Sequence, residues 1–305
     1  MNLGTSASRT PLVSILAPIY NEEQFLNEML ASVVEQTYSN WELCIVDDGS
    51  DDKSLEIIRR AERMDDRVRV ICAGVRMGKR EAFNRAFSAS QGQIIVALAG
   101  DDSWPKSALA HRVSVLSQFP LDRPSVVYSR MEMFWEDGSK LITPRRKRGS
   151  RSFPGVTLSR PLAERIFPIP ATLISDDPWV RLVSEALAEF SAEDRTPVIH
   201  YRVHPGNTTI RHMPFGEMNE AFHARNLAYH SVSSQFGSEV DSDLAKRLGA
   251  HELAEKRRYM RKPLIAAATS GLTPTERIAY LVYASPVLYS IRTRFYKALT
   301  GWRGR

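Results

Sequence analysis

Three short apolar runs, each ending in polar or acidic residues, most restrict what this chain can fold into. Val13-Ser14-Ile15-Leu16-Ala17-Pro18 leads into Tyr20-Asn21-Glu22. Glu42-Leu43-Cys44-Ile45-Val46 ends in Asp47-Asp48-Gly49-Ser50, and Ile94-Ile95-Val96-Ala97-Leu98 ends in Gly100-Asp101-Asp102. Short runs with little polar alternation suit strands buried on both faces. Segments of helical period separate them. Residues 22–36 place Phe25, Leu26, Met29, Leu30, Val33 and Val34 on one face, with Asn21 the expected N-cap. Residues 54–64, 78–90 and 105–118 also read as helices, and 67–72 as a strand. Alternating strand and helix predicts an α/β fold with a mostly parallel central sheet flanked by helices. Ligands bind such sheets beyond the carboxyl ends of the strands, which here carry the acids. Paired carboxylates at that edge suit a divalent cation carrying a phosphorylated ligand.

Farther on, residues 126–135 read as a strand, 182–190 as a helix and 198–203 as a strand. Residues 140–152 lack apolar periodicity and read as an exposed, mobile basic loop. From residue 217 the pattern is helical, and Thr273-Pro274-Thr275-Glu276 carries a capping box with a first-turn proline. The expected organisation is a sheet domain over 1–210 and a helical C-terminal extension over 211–305.

Hydrophobic residues make up 43% of the 305, enough for a core and too many for a disordered chain. Cys44 and Cys72, the two cysteines, sit in apolar runs as buried reduced thiols, which excludes a cysteine zinc cage. Residues 1–10 are polar, and no apolar run approaches the ~20 residues of a membrane span. The net charge of +6 is uneven: residues 140–151 carry +6 and residues 251–305 carry +8, which leaves −8 in the remainder. The acids cluster where a ligand would sit, which argues against nucleic acid as partner.

The same residues recur with further ones: Gln36-Thr37-Tyr38-Ser39-Asn40-Trp41, Gly78-Lys79 with Ala82 and Asn84, Ser175-Asp176-Asp177 before Trp179 and Arg181, and Tyr201-Arg202-Val203-His204-Pro205-Gly206-Asn207. In this order and spacing, over roughly residues 11–210, they resemble the family 2 glycosyltransferases, which have the GT-A fold. The resemblance implies inverting transfer from a nucleotide-sugar, taken as a UDP-sugar, to an acceptor hydroxyl of a glycan or lipid-linked acceptor, in polysaccharide or glycolipid assembly. It implies a Mg²⁺ or Mn²⁺ ion. It places Pro18, Tyr20 and Glu22 in the base pocket, Asp48 on the base and Asp101 on the ribose. It places Asp102 on the metal, with His204 reaching the metal or the diphosphate. Arg76 and Lys79 fall near the phosphates. The base that deprotonates the acceptor falls at Asp177, with Asp176 the second choice. Arg202, Arg145 and Arg146 become contacts to acceptor or phosphate. Ala99 departs from the pattern, since many relatives carry an acid there. Asp-Asp-Pro-Trp in place of the usual Glu-Asp and aromatic is a second departure.

Plainer readings stand beside these. Asp101 and Asp102 could cap a helix before Pro105, Asp48 could close an Asx turn, and Tyr20 could be core. Arg145-Arg146-Lys147-Arg148 could be a solvated loop or grip a phosphorylated acceptor; without interleaved aromatics it does not suit nucleic acid. The tail from Thr273 sets Tyr280, Tyr283, Tyr289, Phe295, Tyr296 and Trp302 among arginines and lysines. That composition fits a cytoplasmic protein peripheral on the inner face of the plasma membrane. It equally fits a helix packed on the catalytic domain or in a homodimer interface. A catalytically inert nucleotide-sugar-binding or membrane-associated assembly protein of the same fold is the rival reading.

Overall fold

The computed structural model describes residues 10–144, 148–204 and 213–300, with side chains as far as residue 294. The chain forms two compact units. One runs to Phe134 and adds Gly138–Pro168 and Ala188–Arg202; the other comprises Trp135–Asp137, Ile169–Leu187 and the chain from Val203 on.

The first unit is built on β1 (Val13–Ile19), β2 (Trp41–Asp47), β3 (Val68–Cys72), β4 (Ile94–Ala97), β5 (Ser125–Trp135), β6 (Lys140–Thr143), β7 (Val156–Ser159) and β8 (Phe190–Val203). Among the described residues these make one eight-stranded sheet in the order β3-β2-β1-β4-β7-β5-β6, with β8 also paired to β5. Strands β1 to β4 are mutually parallel. The expected parallel sheet stops there, because β7 is antiparallel to β4 and β5, and β6 is antiparallel to β5. The reason lies in the connections. Parallel neighbours need a crossover helix, whereas β5 turns straight back into β6 through Gly138, at φ +79°.

Helices α1 (Leu26–Val34), α2 (Ser54–Met64), α3 (Lys79–Ala89), α4 (Ala108–Leu116) and α5 (Arg160–Ile166) accompany the sheet. In α1 the buried residues are Leu26, Met29, Leu30 and Val33, the spacing of a single helical face. Val13, Ile15, Leu16, Ala17 and Ile19 of β1 are wholly buried, as a central strand covered on both faces requires. The fully buried Arg112 donates to the Pro154 and Val156 carbonyls and to the Thr157 hydroxyl, which anchors the entry to β7. Burial depresses its pKa to about 9, so it remains charged at neutral pH.

Several features differ from expectation. Cys44 is buried, but Cys72, expected to be buried too, is exposed at the end of the edge strand β3, where its sulfur accepts from Arg59 at 2.9 Å. Helix α1 is capped at Phe25 rather than Asn21, because Asn21 is left-handed at φ +55° and bonds a neighbouring loop. The basic segment expected to be a loop opens with β6, which pairs from Phe134↔Lys140 to Met131↔Thr143. The helix expected over 182–190 spans Asp176–Leu187, and Phe190 already belongs to β8. Strand β7 is too short, at four residues, to carry a readable period.

The second unit holds α6 (Asp176–Leu187), α7 (Phe215–Phe236), α8 (Ser242–Tyr259), α9 (Pro263–Ala267), α10 (Pro274–Ala284) and α11 (Pro286–Thr300). Ala250, Ala254, Ala266, Leu272 and Tyr280 form its core, with Phe222 against them. The capping box is present at Thr273, whose amide donates to Glu276 at 2.7 Å. Within the aromatic tail, Tyr280 and Tyr289 are buried at 3% and 6% exposure. They are core residues of this unit and are not available to a lipid surface. The side chains of Phe295, Tyr296 and Trp302 lie outside the described set. No described helix is long and apolar enough to cross a membrane.

Candidate active site

Strand register assembles the site. Ile19 pairs with Asp47, and the Asp48 amide donates to the Ile19 carbonyl at 2.8 Å, so Tyr20 and Asp48 leave adjacent strands at one level. On the other side of β1, Leu16 pairs with Ala97, and the Leu98 amide donates to Leu16 at 3.0 Å. The loops after β1 and β2 are stapled together. Asn21 Nδ2 donates to Asp51 Oδ1 at 2.6 Å, and the Asp51 amide returns a bond to Asn21 Oδ1 at 3.0 Å. The Glu22 amide donates to Ser54 Oγ at 2.8 Å, and the Glu23 amide to Asp52 Oδ2 at 3.0 Å.

Asp48 is buried, and its carboxylate accepts from the amides of Met77 at 2.6 Å and Gly78 at 2.9 Å. It therefore holds the loop that carries Arg76 into α3. A Cβ on Gly49, at φ +76°, would lie 2.8 Å from the Arg76 backbone nitrogen, so the close approach of the two loops needs glycine. The Arg76 guanidinium sits 3.9 Å over the Tyr20 ring. Pro18 and Tyr20 are partly exposed at this edge, while Asp47 turns inward to the Ser50 amide.

At the end of β4 the two aspartates differ. Asp101 is partly exposed, whereas Asp102, the residue to which the resemblance gives the metal, is 1% exposed. Asp102 Oδ1 accepts from the Arg202 amide at 3.0 Å, while its buried Oδ2 has no hydrogen-bond partner. Burial, then the charge of Asp101, drives the Asp102 pKa well above the usual carboxylate range, against the pull of the Arg202 amide and of Lys79 and Arg202. Lys79 opens α3 and is close enough to act on Asp102.

Arg202, read as a phosphate or acceptor contact, is engaged by the protein. Its Nε donates to the Asp101 carbonyl at 3.1 Å, its Nη2 pairs with Glu28, and its guanidinium lies over Phe25 and Phe134. The adjacent bridge between Ser103 and His200 completes a clamp on the Asp101-Asp102 turn. Glu28 bonds both Arg202 and Ser103 Oγ and was missed in the sequence, where it is one more acid on the polar face of a helix.

Glu22 packs over the end of β4. A Cβ on Gly100 would lie 2.8 Å from its Cγ, so glycine gives it room. Burial, then the carboxylates of Asp101 and Asp52, raise the Glu22 pKa from 4.5 to about 8. Between those values the folded protein holds a proton that the unfolded chain releases. This contribution to stability is therefore complete below pH 4.5 and is lost as pH rises through about 8. We expect the parent to lose about 1–2 kcal/mol of unfolding free energy between about pH 5 and about pH 9, a figure reduced because water reaches part of the side chain. Glu22→Gln should lack that loss in urea titrations; an equal loss in both proteins would assign the slope to other groups.

A divalent cation is compatible with this edge in one mode only. Among the described residues no three His, Cys, Asp or Glu side chains converge as a protein-built cage would require. The repulsion that Asp101 exerts on both Asp102 and Glu22 is a feature that a cation at Asp101 would relieve. One or two carboxylates completed by substrate phosphates and water is the ordinary way a protein holds Mg²⁺.

The other candidates belong to the helical unit. Asp176 and Asp177 occupy the first turn of α6, where Asp176 is buried and Asp177 partly exposed. His204 follows β8 and is partly exposed. Arg145 and Arg146 lie outside the described residues.

Residues 14–161 match the model of glycosyl transferase family 2. TuaG of Bacillus subtilis, whose name assigns it provisionally to teichuronic acid biosynthesis as a glycosyltransferase, is 31% identical over 43% of this chain and 51% of its own length. The Escherichia coli UDP-Glc:alpha-D-GlcNAc-diphosphoundecaprenol beta-1,3-glucosyltransferase WfgD is 34% identical over 34% of this chain and 41% of its own. The chain thus spans about half, or less, of the length of these curated relatives. Among solved structures, S. aureus TarS 1-349 in complex with UDP-GlcNAc has a TM-score of 0.62 at 16% identity, over 96% of this chain and 93% of that one. The mannosyltransferase PcManGT of Pyrobaculum calidifontis, in complex with GDP-Man and Mn2+, has a TM-score of 0.63 at 18% identity, over 95% and 89%. Those likenesses establish the GT-A type of fold, with a helical C-terminal part. With the acids at the carboxyl edge of its parallel strands, the segment 14–161 belongs to glycosyl transferase family 2.

Proposed function

We propose that this chain transfers a sugar, with inversion, from a UDP-sugar to a hydroxyl of a glycan or lipid-linked acceptor in cell-surface polysaccharide assembly. The observation that carries the reading is the meeting, on one sheet edge, of the Tyr20–Asp48 wall and the Asp101-Asp102 turn. The uracil base stacks beside Tyr20, with Arg76 on the ring, and Asp48 keeps the phosphate-side loop of Arg76 and Lys79 in place. The partial exposure of Asp101 favours it over Asp102 as the carboxylate that meets a Mg²⁺ or Mn²⁺ ion, with His204 a further candidate. Bound there, the ion supplies neutralisation of charge on the departing diphosphate. Asp102 and Arg202 then act from behind, holding the turn that presents Asp101. Asp177 accepts the acceptor's hydroxyl proton as that oxygen attacks the anomeric carbon from the face opposite the leaving nucleotide.

UDP as the nucleotide draws support from the donor in the name of WfgD and from the UDP-GlcNAc complex of TarS. Ala99, which takes the place of an acid, favours the second reading of an inert donor-binding fold. Thermal-shift titration of UDP, GDP, dTDP and UDP-sugars, with and without Mn²⁺, tests both. Metal-dependent stabilisation by UDP alone fits transfer from a UDP-sugar, and stabilisation by GDP alone would replace the donor. Stabilisation by none would remove the donor site altogether. Donor binding with neither transfer nor hydrolysis would leave the inert fold.

A further inference from the structure

The corner between α8 and α9 joins two features: three exposed cations without an ion-pair partner and three protruding apolar side chains. Lys256, Arg261 and Lys262 are exposed, and among the described residues none has an ion-pair partner. Met260 is 57% exposed, Leu264 75% and Ile265 51%, and all fall within ten residues of chain. The corner is held firmly in this form. Arg257 donates from α8 to Thr269 Oγ1 at 3.0 Å, and Arg258, 1% exposed, is locked between Glu255, Asn219 and the Tyr283 carbonyl. Arg261 sits at φ +58°, which ends α8 and throws Lys262 and Leu264 outward. The nearby acids are engaged elsewhere: Glu220 accepts from the Tyr259 hydroxyl at 3.0 Å, Glu255 from Arg258 at 2.7 Å, and Glu252, one turn before Lys256, bonds His230 at 2.9 Å.

Exposed leucine, isoleucine and methionine are unfavourable in water, and lone cations beside them would repel one another. Both are relieved by one kind of surface, a negatively charged headgroup layer over hydrocarbon. We propose that the α8–α9 corner docks this protein on an anionic lipid bilayer, with Met260, Leu264 and Ile265 entering the interface and Lys256, Arg261 and Lys262 meeting the headgroups. The surface is distinct from the aromatic tail, where Tyr280 and Tyr289 are spent in the core of the helical unit. It stands independently of the sugar-transfer reading.

The test is co-sedimentation of the full chain with vesicles of phosphatidylcholine alone and of equal parts phosphatidylcholine and phosphatidylglycerol. Binding is expected only to the anionic vesicles and should weaken with salt. Arg261→Glu with Lys262→Glu should lower the partition coefficient roughly a hundredfold, and Leu264→Ser with Ile265→Ser roughly tenfold. Arg63→Glu with Arg85→Glu, which removes as much charge from the sheet unit, should change it little. Nucleotide binding and circular dichroism of each variant establish that it is folded. Equal losses from the corner and control pairs would reduce the effect to net charge and overturn the proposal. Failure of the parent to bind anionic vesicles, or binding that ignores the Leu264 and Ile265 changes, would overturn it as well.

Discussion

Asp177→Asn is expected to lower sugar transfer roughly 10²–10⁴-fold while donor binding stays as in the parent. The amide keeps the size of the carboxylate and cannot take a proton. The loss should therefore fall on the chemical step, with the affinity for nucleotide-sugar unchanged. Its neighbour is the control. Asp176 is buried in the first turn of α6 and Asp177 is partly exposed, so only the second has a surface that an acceptor could reach. Asp176→Asn should cost stability more than rate. Rate measurement at saturating donor, with calorimetric donor binding on both variants, separates the two. Loss of donor binding in Asp177→Asn would make the residue structural. Full activity in it, with an inactive but folded Asp176→Asn, would move the base by one position.

The second large effect concerns the cation. Asp101→Asn should abolish the gain in UDP affinity that Mn²⁺ confers, a loss of about 10²-fold if the ion contributes several kcal/mol. Asp102→Asn should keep most of that gain. Its Oδ1 still accepts from the Arg202 amide, and an amide nitrogen replaces an oxygen that has no partner and belongs to an acid already driven toward its neutral form. UDP titrations with and without Mn²⁺ distinguish the outcomes. If Asp102→Asn loses the metal dependence and Asp101→Asn retains it, the cation belongs to Asp102, as the resemblance alone would have it. If neither variant changes the Mn²⁺ increment, the ion does not bind this edge.

Much of the scaffold could be read in advance. Helix α2 falls on Ser54–Met64 as the periodicity predicts, and the capping box at Thr273 forms as its residues demand. Both depend on side chains three or four residues apart, whose spacing is a local property of the chain. Asn21 shows the limit of such local rules. It has every attribute of an N-cap, yet Asp51, thirty positions away, draws its side chain into a different bond. In the other half of the sheet, β5 and the end of β8 were read as strands over 126–135 and 198–203, but β6, β7 and the antiparallel direction were not, for a similar reason. A strand of four buried residues has no period of its own, and its direction is decided by which neighbour it meets.

The candidate site divides in the same way. That acids end the strands, and that parallel strands bring such ends to one edge, followed from the chain of residues alone, because hydrophobic runs and their punctuation are local properties. Which acid faces outward did not. Asp101 and Asp102 are chemically identical and adjacent. They are told apart only by a bond from Arg202, one hundred positions later, and by the burial that comes with it. The bonds of Arg202 to the Asp101 carbonyl and Glu28, and the raised pKa of Glu22, have the same origin. Proximity between distant segments sets dielectric and partner, and these are quantities no window of sequence contains.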